Sequence, residues 1–90
     1  MARYLITGAA GAIGSELTRY LLEKDHYVCA YDHHEDGLFR LKQQTIKHNI
    51  SDKLRLFIGD VRDLSRLKTA CEGVDYLVHA AALKHVELSE

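Results

Sequence analysis

The stretch from Arg3 to Leu17, RYLITGAAGAIGSEL, constrains the fold more than any other part of this sequence. A short apolar run ends at Thr7, glycines follow at positions 8, 11 and 14, and the residues after them suit a helix. A strand, a tight glycine turn and a helix N-terminus in succession can bind phosphate, because the first helical N–H groups are unpaired and carry a partial positive charge. Glycine also lets the backbone approach a pyrophosphate that a Cβ would hold away. The predicted contact residues of this turn are Gly8, Ala10, Gly11, Ala12, Ile13 and Gly14.

Strands and helices alternate along the rest of the chain. Apolar or β-forming runs predict strands over residues 3–7, 26–32, 54–58 and 75–79. Apolar residues at helical spacing predict helices over about 13–25, 38–47 and 64–71. Short connections between alternating elements favour parallel strands joined by right-handed crossovers. We therefore expect an α/β fold, an incomplete Rossmann-type parallel sheet with βαβαβαβ order, whose first four strands lie in the order 3-2-1-4.

Polar residues suggest where the second and third helices begin. The cluster from His33 to Gly37 is expected to precede the second helix, which would bury Leu38, Leu41, Thr45 and Ile46 on one side. Asp63 and Ser65 are both candidates for the N-cap of the third helix.

Asp32 lies at the end of the second strand, about 20 residues beyond the glycine turn, where an acid can accept both hydroxyls of an adenine ribose. Such an acid would repel the extra phosphate of NADP, so Asp32 slightly favours NAD. His33 is also a predicted cofactor contact, and in its protonated form it weakens this preference. The alternative interpretation of Asp32 is a solvated aspartate at a strand end.

Asp60 and Val61 follow the third strand. The carboxylate of Asp60 can accept a hydrogen bond from the adenine amino group, and Val61 can lie against the ring. The alternative is that Asp60 is a turn or helix-capping aspartate. Arg62 and Asp63 are expected to form a local charge pair rather than a ligand site.

Small residues follow the fourth strand, at Ala80, Ala81 and Ala82. They would let the sugar or nicotinamide of a cofactor approach the backbone. Lys84 and His85 come next, and a pair of cations there suits a phosphorylated or nucleotide-linked substrate. The alternative is that both are solvated loop residues. His79 is expected to be a hydrogen-bonded core histidine rather than a base.

Composition excludes several other classes of function. A formal net charge of -1 gives no electrostatic case for nucleic acid or an anionic membrane as partner. Cys29 and Cys71 lie in apolar stretches and are expected to be reduced, and no apolar run is long enough to span a membrane, so a cytoplasmic protein is predicted. The adjacent residues from His33 to Asp36 are poorly spaced as metal ligands, and no metal site is predicted.

These motifs together resemble the extended short-chain dehydrogenase/reductase superfamily, and within it the polysaccharide-biosynthesis group of nucleotide-sugar dehydratases. The segments TGAAGAIGSEL, YDHHEDGLFRL, GDVRD and GVDYLVHAAALKHVELSE are similar to that group's strand-end segments, and the run AAALKHV is the most group-specific. Two positions depart from the pattern: His34 stands where a serine is usual, and Glu87 stands where a proline is usual.

The resemblance implies a UDP-N-acetylglucosamine 4,6-dehydratase or 4-epimerase of surface polysaccharide biosynthesis, with NAD or NADP as cofactor and a UDP-sugar as substrate. It also implies a homo-oligomer at full length. Residues 1–90 are expected to be the N-terminal part of the NAD(P)-binding domain, without the catalytic portion. The superfamily's Tyr-x-x-x-Lys pair has no counterpart except Tyr20 and Lys24, which fall within the first predicted helix, so no residue is assigned as catalytic.

Three alternatives remain open from the sequence. Another UDP-sugar 4-epimerase of the superfamily would share these motifs. A non-catalytic NAD(P)-binding sensor module would need no catalytic pair. A degenerate fragment would leave the edge of the sheet at the fourth strand unprotected and would fold poorly.

Overall fold

The computed structural model describes residues 1–83 and shows a four-stranded parallel sheet with helices on both faces. The strands pair in the order β3-β2-β1-β4, as the sequence predicts. Because all the strands are parallel, their carboxyl ends meet at one edge of the sheet. The elements, in chain order, are β1 (Arg3–Thr7), α1 (Ala12–Glu23), β2 (Tyr27–Asp32), α2 (Glu35–Lys47), β3 (Leu54–Ile58), α3 (Leu64–Ala70), β4 (Tyr76–His79) and a 3₁₀ helix (Ala80–Leu83).

Successive side chains of each strand point to opposite faces of the sheet, which divides the core into two layers. The larger layer lies on the side of α1 and α2 and includes Ile6, Val28 and Leu38. The smaller layer lies on the side of α3, where Leu5 and Tyr31 pack with Ala70. Neighbouring strand residues such as Leu5 and Ile6 are both fully buried but belong to different layers. Both faces of β1 and β2 are therefore covered, which explains their continuous apolar runs.

Helix α2 begins at Glu35, so Glu35, Asp36 and Gly37 form its first turn, and only His33 and His34 of the polar cluster precede the helix. His34 is the N-cap, and its Nδ1 atom accepts a hydrogen bond from the backbone N–H of Gly37 at 2.9 Å. Glu35 and Asp36 occupy the first turn, where negative charge is favourable to the helix dipole. Apolar spacing missed this turn because Glu35 and Asp36 face solvent and the buried Gly37 has no side chain.

Three further details refine these expectations. Leu38, Leu41 and Thr45 are buried, but Ile46 is 56% exposed because it lies about 100° around the helix from Thr45. Ser65 lies inside α3, and Asp63 alone is the N-cap, with its side chain accepting from the backbone N–H of Arg66. The small residues after β4 begin a 3₁₀ helix, Ala80–Leu83.

Cys29 is buried, Cys71 is partly buried, and both are free thiols. Burial raises the pKa of the Cys29 thiol.

Over residues 1–83, no helix combines the length and the apolar character that crossing a bilayer requires.

Candidate functional site

A cleft of about 560 Å³ opens at the carboxyl edge of the sheet, between the ends of β1, β2, β3 and β4. This is the edge where a doubly wound sheet binds its ligand. The sequence-predicted residues that line it are Gly8, Gly11, Ala12, Ile13, Gly14, Asp32, His33, Asp60, Val61, Ala80 and Ala81. Ala82 belongs to the adjoining 3₁₀ helix. Lys84 and His85 lie outside the described residues.

The glycine turn between β1 and α1 brings three backbone segments close together. Gly8 has a φ of +69°, and a Cβ there would lie 2.7 Å from the backbone nitrogen of Ala81. A Cβ on Gly14 would overlap the carbonyl oxygen of Gly8 and come within 2.8 Å of the Ala9 Cα. Side chains at either position would therefore push apart the turn, the helix and the 3₁₀ helix that together form this end of the cleft.

The N-terminus of α1 is open to a ligand. Its N-cap, Gly11, has no side chain to accept a hydrogen bond, and the first turn contains no acidic residue. The N–H groups of Ala12, Ile13 and Gly14 have no carbonyl partner within the helix, and these residues line the cleft. Unpaired N–H groups and the positive end of the helix dipole together suit a phosphate or pyrophosphate.

Asp32 joins the end of β2 to the glycine turn. Its Oδ2 atom accepts from the backbone N–H of Ala10 at 2.9 Å, and its Oδ1 atom accepts from the backbone N–H of His34 at 2.9 Å. Ala10 thus contributes to the site through Asp32 and does not itself line the cleft. The residue is 8% exposed, and each carboxylate oxygen retains one acceptor position for a ligand hydroxyl. The Nδ1 atom of the exposed His33 ring lies 3.6 Å from Oδ1.

Asp60 and Arg62 form a bidentate pair on the loop after β3. The guanidinium of Arg62 donates to both carboxylate oxygens, at 3.1 Å from Nε and 2.9 Å from Nη2, and its backbone N–H donates at 2.8 Å. These hydrogen bonds hold the pKa of the Asp60 carboxyl well below its usual range. The predicted pair between Arg62 and Asp63 is wrong, because the Asp63 side chain caps α3.

The ends of β1 and β4 are joined by side chains. The Oγ1 atom of Thr7, which is fully buried, lies 2.6 Å from Nδ1 of His79. His79 is therefore hydrogen-bonded as predicted, but the residue is exposed rather than part of the core. The neighbouring Ala80 is buried and packs with the α1 and α2 layer.

Sequence reasoning missed Gly59 and Arg62, which also line the cleft. Both flank the predicted contacts Asp60 and Val61 at the same strand end, and this adjacency is the signal that would have found them. Tyr20 and Lys24 are not among the cleft residues. Within residues 1–83, no three His, Cys, Asp or Glu side chains are grouped to hold a metal ion.

A family model described as "Polysaccharide biosynthesis protein" matches residues 4–90. Three curated relatives each align with 96% of this chain. An uncharacterized membrane protein of Methanocaldococcus jannaschii is 47% identical over 87 residues. A UDP-N-acetylglucosamine 4,6-dehydratase (inverting) of Campylobacter jejuni is 42% identical over 88 residues. A UDP-glucose 4-epimerase of Rickettsia canadensis is 37% identical over 90 residues.

Solved structures share the fold. The X-ray structure of Pen from Bacillus thuringiensis superposes with a TM-score of 0.82 at 32% identity, over 99% of this chain and 28% of that chain. The NAD complex of dTDP-glucose 4,6-dehydratase from Bacillus anthracis superposes with a TM-score of 0.73 at 20% identity, over 88% of this chain and 26% of that chain. The present chain spans about a quarter of the length of the curated relatives, 25% or 26% of each.

Proposed function

The chain belongs to the polysaccharide biosynthesis protein family, and from this membership we propose that it is the cofactor-binding part of an NAD(P)-dependent nucleotide-sugar 4,6-dehydratase. The proposed substrate of the whole protein is UDP-N-acetylglucosamine. The observation that carries the proposal is the cleft in which a glycine turn, an uncapped helix N-terminus and Asp32 meet. The Campylobacter jejuni relative supports the choice of substrate and reaction.

A dinucleotide fits this cleft on chemical grounds. A Cβ on Gly8 or Gly14 would meet backbone atoms of the turn or of Ala81, so glycine at these positions keeps the turn compact. The N–H groups at the start of α1 suit a pyrophosphate. Asp32 would accept the hydroxyls of the adenine ribose, and Asp60 with Val61 would contact adenine. Ala80, Ala81 and Ala82 would lie near the nicotinamide half, since small residues allow close approach.

We propose NAD as the preferred cofactor. The carboxylate of Asp32 would repel the 2′-phosphate of NADP, and its position is fixed by two backbone hydrogen bonds. Arg62 lines the same cleft and brings positive charge that reduces this preference, and so does His33 when it is protonated. The ratio of the NAD and NADP affinities therefore depends on the balance between the buried carboxylate of Asp32 and the positive charge near it.

The residues of this chain bind and orient, and none is assigned to a catalytic step. When bound, the cofactor supplies reversible oxidation of a sugar hydroxyl. Lys84 and His85, outside the described residues, are proposed to contact the phosphates of the UDP-sugar. Proton transfer to and from the sugar is proposed to depend on other parts of the whole protein.

A UDP-sugar 4-epimerase is the second candidate, favoured by the 37% identity with the Rickettsia canadensis relative. A non-catalytic NAD(P)-binding sensor is the third. Incubation of the whole protein with UDP-N-acetylglucosamine and NAD separates the three. A dehydratase yields a 4-keto-6-deoxy sugar, an epimerase yields the C4 epimer, and a sensor yields neither product while still binding the cofactor. Assembly as a homo-oligomer and a cytoplasmic location stay predictions.

The cofactor assignment is tested by calorimetric titration of the protein with NAD and NADP, for the wild type and for Asp32→Ala. We expect the substitution to weaken NAD binding by about tenfold or more, through loss of a charge-assisted hydrogen bond, and to weaken NADP binding less. Asp52→Ala is the matched control, because Asp52 is exposed in the loop before β3, at the opposite edge of the sheet. Equal loss for both cofactors, or loss for neither, would contradict the assignment to Asp32.

A further inference from the structure

Tyr31 reaches from the core to the loop that ends β3. The residue is fully buried, and its hydroxyl donates to the carbonyl oxygen of Asp60 at 2.8 Å. Its ring stacks on Phe57 with centroids 5.6 Å apart and an interplanar angle of 23°. Burial raises the pKa of Tyr31, so the hydroxyl keeps its proton and remains a donor at neutral pH. The buried and stacked ring therefore holds its hydroxyl donor in a fixed position beside the loop after β3.

The loop after β3 packs closely on the Tyr31 hydroxyl. A Cβ on Gly59 would lie 2.5 Å from the Tyr31 hydroxyl oxygen and 2.8 Å from the ring carbon that carries it. The backbone N–H of Gly59 donates to the carbonyl oxygen of Asp32 at 2.9 Å, so the loop is bound to β2 at two neighbouring positions. The absence of a side chain at residue 59 lets the loop lie directly on the Tyr31 hydroxyl.

Tyr31 and Asp32 therefore bond to two different loops of the same site. They are consecutive residues of β2 and point away from each other. Asp32 bonds to the glycine turn, and Tyr31 bonds to the loop that carries Asp60 and Val61. After its three hydrogen bonds from Arg62, the carboxylate of Asp60 has one acceptor position left on Oδ2. The direction of that position depends on where the loop lies.

We propose that Tyr31 is a positioning residue for adenine recognition, because its hydroxyl holds the Asp60 carbonyl and thereby directs the free acceptor position of Asp60 at the adenine amino group. This inference rests on the proposed binding of a nicotinamide dinucleotide. It assigns to the buried end of β2 a part in distinguishing adenine from other purines, in addition to its part in the core.

The test compares two dissociation constants, for NAD and for nicotinamide hypoxanthine dinucleotide, in which a carbonyl replaces the adenine amino group. The wild-type protein is expected to prefer NAD by about tenfold, because the carbonyl leaves the acceptor on Asp60 facing another acceptor. Tyr31→Phe is expected to reduce this ratio by about 3- to 10-fold, the loss that one hydrogen bond represents. A purely structural role would change both affinities together and leave the ratio unchanged.

Tyr27→Phe is the matched control. Tyr27 lies on the same strand and the same face, is 39% exposed, and contacts Arg3 and Lys53 rather than the loop after β3. Its ratio is expected to equal that of the wild type. Gly59→Ala is a second variant that acts on the same contact from the loop side, and it too is expected to lower the ratio.

The outcomes separate the inference from the proposed function. A wild-type protein that binds neither dinucleotide overturns both. A wild-type protein that binds NAD but does not distinguish it from the hypoxanthine analogue overturns the inference alone. If the ratio of the two dissociation constants is unchanged in both Tyr31→Phe and Gly59→Ala, the inference alone is likewise overturned.

Discussion

The carboxylate of Asp32 accepts a hydrogen bond from the backbone N–H of Ala10 at 2.9 Å, across 22 residues of sequence. The residue that is proposed to recognise the ribose therefore also holds the turn that is proposed to bind the pyrophosphate. The proposed ribose and pyrophosphate sites both depend on Asp32. A change at Asp32 is therefore expected to alter both the ligand affinity and the stability of the unliganded fold.

Replacement of Asp32 by Asn is expected to destabilise the protein in the absence of ligand. An amide offers only one acceptor oxygen, so either Ala10 or His34 loses its partner, at a cost of about 1–3 kcal/mol. Urea denaturation measures the loss, and hydrogen exchange at the Ala10 and His34 amides shows which bond is broken. Asp52→Asn, on an exposed loop, is the control and should leave both measurements unchanged. Unaltered exchange at both amides in Asp32→Asn would refute the anchoring role.

Alanine at Gly14 and at Gly11 should have different effects. At Gly14 the added methyl group would meet backbone atoms of Gly8 and Ala9, and we expect a loss of about 2–3 kcal/mol in the free energy of unfolding. At Gly11 the nearest atom is 3.4 Å away, so we expect a loss below about 1 kcal/mol. Because Gly11 lines the cleft, its methyl group should weaken dinucleotide binding instead. Equal destabilisation in the two variants would show that the close backbone contact at Gly14 is not the cause.

Removal of the Arg62 side-chain charge should raise the pKa of Asp60. The guanidinium and backbone hydrogen bonds of Arg62 are the largest causes of the low value, so in Arg62→Gln we expect the pKa to move toward the ordinary aspartate value of about 3.9. Carboxyl-carbon NMR titration measures the shift, and Arg19→Gln on α1 is the control. A lowered carboxyl pKa stabilises the folded state above the unfolded pKa. Any stability difference between Arg62→Gln and the wild type should therefore be present above about pH 4 and decline as the pH falls.

Replacement of His34 by Ala should weaken the start of α2. The N-cap hydrogen bond from Gly37 is lost, and the expected cost is about 1 kcal/mol by thermal or urea denaturation. His34→Ser should retain the wild-type stability or exceed it, since a serine hydroxyl accepts from the same region of backbone. His33→Ala is the control, because the His33 side chain is 77% exposed and does not cap the helix. Equal stability of His34→Ala and His34→Ser would contradict the capping role.

The strands and their order could be predicted because they depend on local patterns and on the handedness of crossovers. The runs at Arg3–Thr7 and Leu54–Ile58 gave the bounds that the structure shows. The start of α2 could not be predicted from apolar spacing, because its first turn contains two exposed acids and a glycine and no apolar side chain. A histidine N-cap is also less common than a serine, threonine, aspartate or asparagine N-cap.

The residues of the cleft were predictable to the extent that strand ends meet at one edge of a parallel sheet. The partners of their side chains were not. The pairing of Arg62 with Asp60 instead of Asp63 depends on the turn between them, and the bond from Tyr31 to Asp60 joins residues 29 positions apart. Contacts of this kind are set by tertiary packing, which sequence spacing does not encode.

The contact between Gly8 and Ala81 has a consequence for protein engineering. The two backbones meet where a Cβ on Gly8 would lie 2.7 Å from the Ala81 nitrogen, so the width of the cleft at this end is fixed by main-chain atoms. Substitution of side chains cannot tune it without moving β1 against the segment after β4. Directed evolution toward another dinucleotide should therefore accumulate its changes at the adenosine end, around His33 and Arg62, where exposed side chains can vary without disturbing the sheet.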